Sequence, residues 1–582
     1  MKHELEKWKS QNQALFAQPP LKNLQEMLRR TAEMHGDKAA IIERGKDGPI
    51  THGAKELFEK AQALGTALLD LGLGGKHIAI LGENSFDWIL AFLAVTGGVG
   101  TVIPLDKELT DHELSKLLHK GDTSAVFCSR TYAKTVKRHL LGGSLVRHSI
   151  LMGDGVFEDG FLSIDDLIAK GKALIAAGDR SYIDAYVSPE STAAILFTSG
   201  TTGANKGVML TQRNLAANIE GIAKNVVLRN STFSVLPMNH IYELNCNILP
   251  EIYANCVICI NDSLRNIMQN FQAFQPGMSI VVPLFLETFY NNIWSEAEKT
   301  GQAEKLRRAL KISNRLLNLG IDLRRTLFKT IHEKFGGNLS LIVCGGAPVN
   351  PKHVSGMSDF GFRIYVGYGL TEASPIAALN LDGRSNPESS GTAFYKTNCR
   401  IYEPDSDGVG EIWIRGENIT KEYYKDPQAT ADSFENGWFK TGDYGKLAKD
   451  GHLTIVGRKK SLIVLDNGKN VHPEEVENFV KDEIPYIREI VVMEAEKEIL
   501  GQKQKIIASI VFIDAGDFPH KTLADIHAMA SQDIALLNKQ LPAYKQVRDV
   551  ALVTEDFAKT STKKIIRQKV IEQYRTAKVY SK

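Results

Sequence analysis

Short apolar runs alternate with helix-spaced stretches through most of this chain. "HIAILG" (77–82) precedes the helical pattern "SFDWILAFLAV". "AVFCS" (125–129), "AAILFTSG" (193–200), "FSVLPM" (233–238), "SIVVPL" (279–284) and "LSLIVCGG" (339–346) follow the same rhythm. Strands that alternate with helices predict α/β layers with parallel sheets. The segment 296–335 breaks the rhythm. It is charged, Leu-rich and without strand signals, and reads as two helices or one broken helix. After about residue 400 the texture becomes antiparallel, as in "GEIWIRG" (410–416) and "GHLTIVGR" (451–458), joined by turns containing Gly, Asp and Asn. From 459 to the end lies a smaller unit, large enough to be its own domain. No internal repeat or low-complexity tract interrupts this organisation.

Length changes the picture first. At 582 residues the chain exceeds what one hydrophobic core fills, since single cores stop growing at about 250–300 residues. Its 43% hydrophobic and 24% charged residues are ordinary for a soluble globular protein. A net charge of +2 gives no electrostatic pointer to nucleic acid. Six cysteines, mostly inside apolar runs, fit a reducing compartment better than a disulfide framework. "CVIC" (256–259) has no second ligand pair near it and reads as core packing, not a redox or zinc motif. The N-terminus, "MKHELEKWKSQNQALF", is charged throughout and carries no secretory h-region. The longest uncharged stretch, 88–105, reaches the length of a minimal membrane span, but Gly97, Gly98, Gly100 and Pro104 punctuate it. A helix, a turn and a buried strand is the expected reading. The expected location is cytoplasmic, with peripheral membrane contact left open.

Candidate chemistry begins at "ILFTSGTTGANKGVMLT" (195–211). A Walker loop needs a second glycine before its lysine and a helix after it. Here Asn205 holds that glycine's position, Gly207 follows Lys206, and "VMLT" is strand-like. The dinucleotide fingerprint is absent as well. The loop still suits a polyphosphate. Thr198, Ser199, Thr201 and Thr202 offer hydroxyls, Gly200 and Gly203 allow close backbone approach, and Lys206 supplies a point charge.

"TSGTTGANKG" resembles the signature loop of the adenylate-forming superfamily, with Asn205 where that family usually has Pro. Further matches occur in the family's order. They are "CGGAP" (344–348), "YGLTEASP" (368–375), "WFKTGDYGKL" (438–447), "GRKKSLIVLDNGKNVHPEEVE" (457–477) and "KTSTKKIIRQKV" (559–570). "LPMNHIYELNC" (236–246) and "VVPLFLETFYNNI" (281–293) resemble the long-chain fatty acyl-CoA synthetase branch.

The resemblance implies a set of roles. Gly345, Gly346, Ala347 and Pro348 would form one wall of an adenine slot, with Tyr368 and Gly369 opposite and Tyr365 near the acyl pocket. Thr371 would contact phosphate, and Glu372, a hard oxygen ligand, would support Mg²⁺. Asp443 would accept the ribose hydroxyls and Arg458 would contact the nucleotide. Lys460 would be the hinge of the small domain, and Gly468 would lie in a loop that approaches the thiol. Lys564 would complete adenylate formation, with Lys563 in place of the family's usual Gly raising the question of a shared role. His240 would sit beside the carboxylate. "HPEEVE" reads directly as a helix start, with Pro473 in its first turn.

The expected fold class is α/β. A large N-terminal domain (1–458) would hold two α/β-layered subdomains and a β-subdomain, with a small mobile α+β C-terminal domain (459–582). The expected activity is ATP- and Mg²⁺-dependent activation of a medium- to long-chain fatty acid to acyl-AMP, then transfer to coenzyme A. Two rivals stand beside it: transfer to an acyl-carrier protein, and a nucleotide-binding regulator without turnover. Chain length of the acid and oligomeric state have no sequence signal.

Overall fold

A computed structural model describes residues 2–141, 146–153, 160–199, 205–381, 386–465, 469–499, 502–560 and 565–576. The chain packs into two compact units. The first comprises residues 1–399, 414–439 and 450–452, and the second 400–413, 440–449 and 453–582.

Two largely parallel sheets organise the first unit. In the seven-stranded sheet the order is Leu162–Ser163, His148–Met152, Thr123–Ser129, His77–Leu81, Thr101–Leu105, Thr192–Ser199 and Asn205–Thr211. All neighbours are parallel except the last pair, an antiparallel hairpin. In the nine-stranded sheet six strands run parallel: Arg363–Gly369, Leu341–Cys344, Met278–Val281, Ser231–Ser234, Val257–Ile260 and Ala39–Arg44. Antiparallel strands close both edges. Burial on both faces explains why these strands read as unbroken apolar runs. Val126, Phe127 and Cys128 are buried in succession, as are Ile78 to Leu81. The covering helices approach closely: a Cβ on Gly171 would lie 1.8 Å from the carbonyl oxygen of Ala63.

Residues 88–105 fold as expected. A helix over Phe86–Ala94 passes through a π-helical turn at Val95–Val99, with Gly98 at φ +155°, into the buried strand Thr101–Leu105. No described helix is long and apolar enough to cross a membrane. Two strand expectations shrink. "FSVLPM" is extended only as far as Ser234, and "SIVVPL" stops at Val281 because Pro283 opens a helix over Pro283–Lys299. The segment 296–335 contains the end of that helix and three more, Ala303–Asn318, Arg324–Leu327 and Lys329–Lys334. Cys256 and Cys259 are buried and unbridged, as core packing requires.

The second unit contains a sheet in which Glu489–Ile499 pairs antiparallel with Gln502–Phe512, which pairs parallel with Val547–Val553. Alternation sorts its side chains. Ile490 and Val492 join a core with Val476, Val480, Ile526 and Ile534, from helices Pro473–Glu483 and Leu523–Leu537. Val491 and Met493 face the other way, toward Phe557 and Val570 of helix Arg567–Arg575. Helices thus cover both faces. The strands Trp438–Leu447 and Leu453–Arg458 form an antiparallel pair that registers Asp443 opposite Arg458.

Candidate active site

The strands on either side of the glycine-rich loop pair antiparallel. Thr198 pairs with Lys206 and Ser199 with Asn205 across the ladder between Thr192–Ser199 and Asn205–Thr211. A strand on each side excludes the strand-to-helix geometry of a Walker loop. Gly200, Thr201, Thr202 and Gly203 lie outside the described residues, as does the Ser199 side chain. The Lys206 ammonium lies over the Tyr423 ring, 4.7 Å from its centroid. The ring quadrupole attracts a cation placed over its face. The strand carrying Lys206 is held from outside by residues 420–424. The Tyr424 amide donates to the Gly207 carbonyl at 2.7 Å. The Thr420 hydroxyl donates to the Met209 carbonyl at 2.6 Å.

That same segment holds Glu372. The Tyr423 hydroxyl donates to Glu372 Oε1 at 2.8 Å, and the Thr420 amide donates to the Glu372 carbonyl at 2.7 Å. Burial and the adjacent carboxylate push the Tyr423 phenol well above its ordinary pKa, so it remains a donor. Glu372 sits in the short turn Thr371–Ala373, and two buried asparagines fix the residues that succeed it. Asn418 donates to the carbonyls of Ala373 and Ile376 at 2.9 and 2.7 Å. Asn245 donates to the Ser374 carbonyl at 2.6 Å, with Ser374 at φ +61°. Every main-chain acceptor so satisfied makes the turn costly to rearrange.

"CGGAP" leaves the parallel strand Leu341–Cys344, whose neighbour Arg363–Gly369 carries Tyr368. Both segments therefore emerge at the carboxyl ends of adjacent strands, where crevices form in α/β sheets. A Cβ on Gly345 would come within 3.2 Å of both the Gly367 carbonyl oxygen and the Tyr242 hydroxyl. Gly346 has φ +84°, and a Cβ on Gly369 would stand 2.0 Å from the Pro375 carbonyl oxygen. Ala347, Pro348 and Tyr368 remain at least partly accessible, whereas Tyr365 is buried in the core.

His240 caps the helix that begins at Ile241; its Nδ1 accepts the Tyr242 amide at 3.1 Å. The neutral ring must therefore carry its proton on Nε2. Tyr242 anchors the next turn through long hydrogen bonds, 3.4 Å each, to the Val281 and Val343 carbonyls. Glu243 is fully buried, accepts from Asn247 at 2.8 Å, and is pushed up to about 8 by desolvation. Desolvation thus favours its protonated form.

The second unit carries its own share of the expected residues. Asp443 is buried and pairs with the Arg458 guanidinium at 3.2 Å. Its amide donates to the Thr441 hydroxyl at 3.1 Å. Lys460 is exposed in the turn Lys459–Ser461, beside Lys459, whose ammonium binds Glu411 at 2.8 Å. Gly468, Lys563 and Lys564 lie outside the described residues.

The described residues fit a nucleotide with a shared divalent ion. Among them no cluster of three or more His, Cys, Asp or Glu side chains could hold a metal alone. Magnesium commonly takes one or two carboxylates and completes its shell with substrate phosphates and water. Tyr423 engages Oε1 of Glu372, and among the described residues Oε2 is left for that use. Sequence reasoning missed Tyr423, Tyr242, Asn245 and Asn418. The signal for Tyr423 was no more than an aromatic pair in a polar loop, "KEYYKD", far along the chain from Glu372.

Residues 28–424 match the AMP-binding enzyme family, and residues 460–581 match the AMP-binding enzyme C-terminal domain. The long-chain-fatty-acid–CoA ligase 1 of Cavia porcellus is 26% identical, over 92% of this chain and 82% of its own. A chloroplastic long-chain-fatty-acid–[acyl-carrier-protein] ligase of Arabidopsis thaliana is also 26% identical, over 95% and 86%. Among solved structures, an anthranilate CoA ligase in complex with anthranoyl-AMP superposes with a TM-score of 0.76 at 19% identity, covering 97% of this chain and 99% of its own. ATP-bound MatB from Rhodopseudomonas palustris gives 0.73 at 22% identity, covering 95% and 99%. With the glycine hairpin, the clamped Thr371–Glu372 turn and both domain matches in place, the chain belongs to the AMP-binding, adenylate-forming enzyme family, close to its long-chain acyl-CoA synthetases.

Proposed function

We propose that this protein joins a medium- to long-chain fatty acid to the thiol of coenzyme A in two steps, with ATP and Mg²⁺. The arrangement of Lys206, Tyr423 and Glu372 is the observation that carries this reading. It sets a cation and a carboxylate on one aromatic side chain beside the phosphate-loop strand. In the first step a carboxylate oxygen of the acid attacks the α-phosphorus of ATP. The bond to the β-phosphate oxygen breaks, and acyl-AMP and pyrophosphate result. In the second, the thiol sulfur attacks the acyl carbonyl carbon and the acyl–phosphate oxygen bond breaks, releasing AMP.

The first step brings an anion onto a polyanion. Lys206, the hydroxyls of residues 198–202 and Lys564 would offset that charge by positioning and electrostatics. Magnesium held through Glu372 would supply further charge neutralisation on the phosphate oxygens. The Gly345–Pro348 turn and Tyr368 would take the adenine, and Asp443 and Arg458 the ribose side of the nucleotide. His240, its Nδ1 engaged in the helix cap, would present Nε2–H to the substrate carboxylate. Residues 459–582 would turn about Lys460 between the steps, removing Lys564 and bringing Gly468 toward the thiol.

The test is exchange of labelled pyrophosphate into ATP. Fatty acid, ATP and Mg²⁺ should support it without a thiol, and Lys564→Ala should suppress it. Wild-type exchange in Lys564→Ala would overturn the role of that lysine. The Arabidopsis relative named as an acyl-carrier-protein ligase supports a second reading, with a carrier-protein pantetheine as acceptor. Acids from acetate to stearate, each offered with coenzyme A and with carrier protein, would separate the two. A chain that makes no AMP with any pair would be a regulator instead.

A further inference from the structure

None of the residues assigned above to the two-step ligation lies in the segment 296–335, and its surface is unusual. Between Ala303 and Lys329 the chain has eight Lys and Arg against two Asp and Glu, whereas the whole chain carries a net +2. Helix Ala303–Asn318 has two different sides. Its inner side carries buried Ser313, and Arg307 stacks on Trp294 with its guanidinium 5.5 Å from the ring centroid. On the outer side Lys305, Arg308, Ile312, Arg315 and Leu319 succeed one another at three- and four-residue spacing, which is one helical stripe. All five are exposed, with Ile312 at 54% and Leu319 at 75%. Lys305, Arg308 and Arg315 make no hydrogen bond or ion pair with another described residue.

The chain just after the helix adds further exposed aliphatic side chains. Ile321, Leu323 and Leu327 are exposed at 48%, 41% and 44%. The arginines between them tie this stretch to the rest of the unit. Arg324 donates to the Ser358 carbonyl at 2.9 Å, and Arg325 donates to the Leu339 and Gly337 carbonyls at 3.0 and 2.6 Å. Large aliphatic side chains exposed this close together in the chain, among cations, are what an interaction surface offers.

We propose that this face docks the protein on an anionic lipid bilayer. Ile312, Leu319, Ile321 and Leu323 enter the boundary between headgroups and acyl chains, while Lys305, Arg308 and Arg315 meet lipid phosphates. Apolar side chains interleaved with Lys and Arg along one helix face are what interfacial binding needs. A second copy of the chain is a poor occupant, because a two-fold contact would set this basic face against itself. An acidic protein would satisfy the cations and leave the aliphatic side chains in water. The proposal is independent of the acceptor and of the acid used.

The full chain should float with vesicles of equimolar phosphatidylcholine and phosphatidylglycerol at low salt, much less with phosphatidylcholine alone. Ile312→Ser with Leu319→Ser should lower the partition coefficient about tenfold or more, as should Arg308→Gln with Arg315→Gln. Leu447→Ser, at an exposed leucine elsewhere, should leave it unchanged. Thermal melts of all variants should match the wild type, since every substituted side chain is exposed. Failure of the wild type to float would overturn the proposal. Equal flotation of wild type and both double variants would do the same. So would loss, in those variants, of self-association or of acidic carrier-protein binding with no vesicle binding to lose.

Discussion

The Tyr423 hydroxyl donates to Glu372 Oε1 at 2.8 Å while the Tyr423 ring lies beneath the Lys206 ammonium at 4.7 Å. One side chain thus orients the carboxylate proposed for the metal and the cation proposed for the phosphates. Tyr423→Phe keeps the ring and removes the hydroxyl. Loss of one hydrogen bond to a charged group predicts a tenfold to hundredfold fall in pyrophosphate exchange, on the order of 1.5–3 kcal/mol. The Mg²⁺ concentration for half-maximal rate should rise, with little change in melting temperature. An unchanged Mg²⁺ dependence would show that Tyr423 serves packing alone.

His240 has two separable jobs. Its Nδ1 caps the helix starting at Ile241, and its Nε2 is assigned to the substrate. His240→Asn can still cap and should fold like the wild type, yet lose adenylation activity. His240→Ala should lose activity and also about 1 kcal/mol of stability, read by denaturant titration. Equal stability losses in both variants would show that the cap is not what His240 contributes to folding.

Two glycines of the expected adenine slot should respond differently. Gly346 has φ +84° with nothing closer than 3.7 Å to an added Cβ, so Gly346→Ala should cost about 1 kcal/mol and leave the fold intact. At Gly369 the added Cβ would stand 2.0 Å from the Pro375 carbonyl oxygen. Gly369→Ala should displace the Thr371–Glu372 turn, cost about 3 kcal/mol, and abolish exchange. Equal melting temperatures for the two would contradict this contrast.

Glu243 and Glu251 are buried and pushed up to about 8 by desolvation. Between pH 4.5, their ordinary value, and about 8, each holds a proton in the folded chain that the unfolded chain has lost. Their contribution to stability is therefore complete below pH 4.5 and is lost as pH rises toward 8, at about 1.4 kcal/mol per pH unit for each group. Glu251→Gln should reduce the measured slope by one proton. An unchanged slope would mean that Glu251 is ionised in the folded state.

The sheets were legible because strands buried on both faces leave unbroken apolar runs, as at 77–82 and 125–129. The strand after the loop was legible because "VMLT" comes just after Lys206 and Gly207, although its pairing with the strand before the loop was not. Strand ends were not. Nothing in "FSVLPM" announces that pairing stops at Ser234. Tyr423, Asn245 and Asn418 were hidden for another reason. They act on Glu372 and its neighbours by folding back across the unit, and their spacing along the chain carries no trace of that. Glu243 is visible in the sequence as part of a motif, and only its burial reveals that desolvation favours its protonated form.

The second unit is discontinuous in sequence. Residues 400–413, 440–449 and 453–458 belong to it, although they precede its main body. Within it Lys459 binds Glu411, the Tyr444 ring meets His472 at 5.6 Å between centroids, and Gly457 leaves room for His472 and Glu474. A ribosome therefore releases the earlier pieces well before their partners exist. Until residues 459–576 emerge, those pieces must wait with uncovered surfaces, so a nascent chain that has reached Arg458 is not a finished N-terminal product. A polypeptide truncated after Arg458 inherits the same defect permanently, and its behaviour would reflect exposed strands as much as a missing lysine.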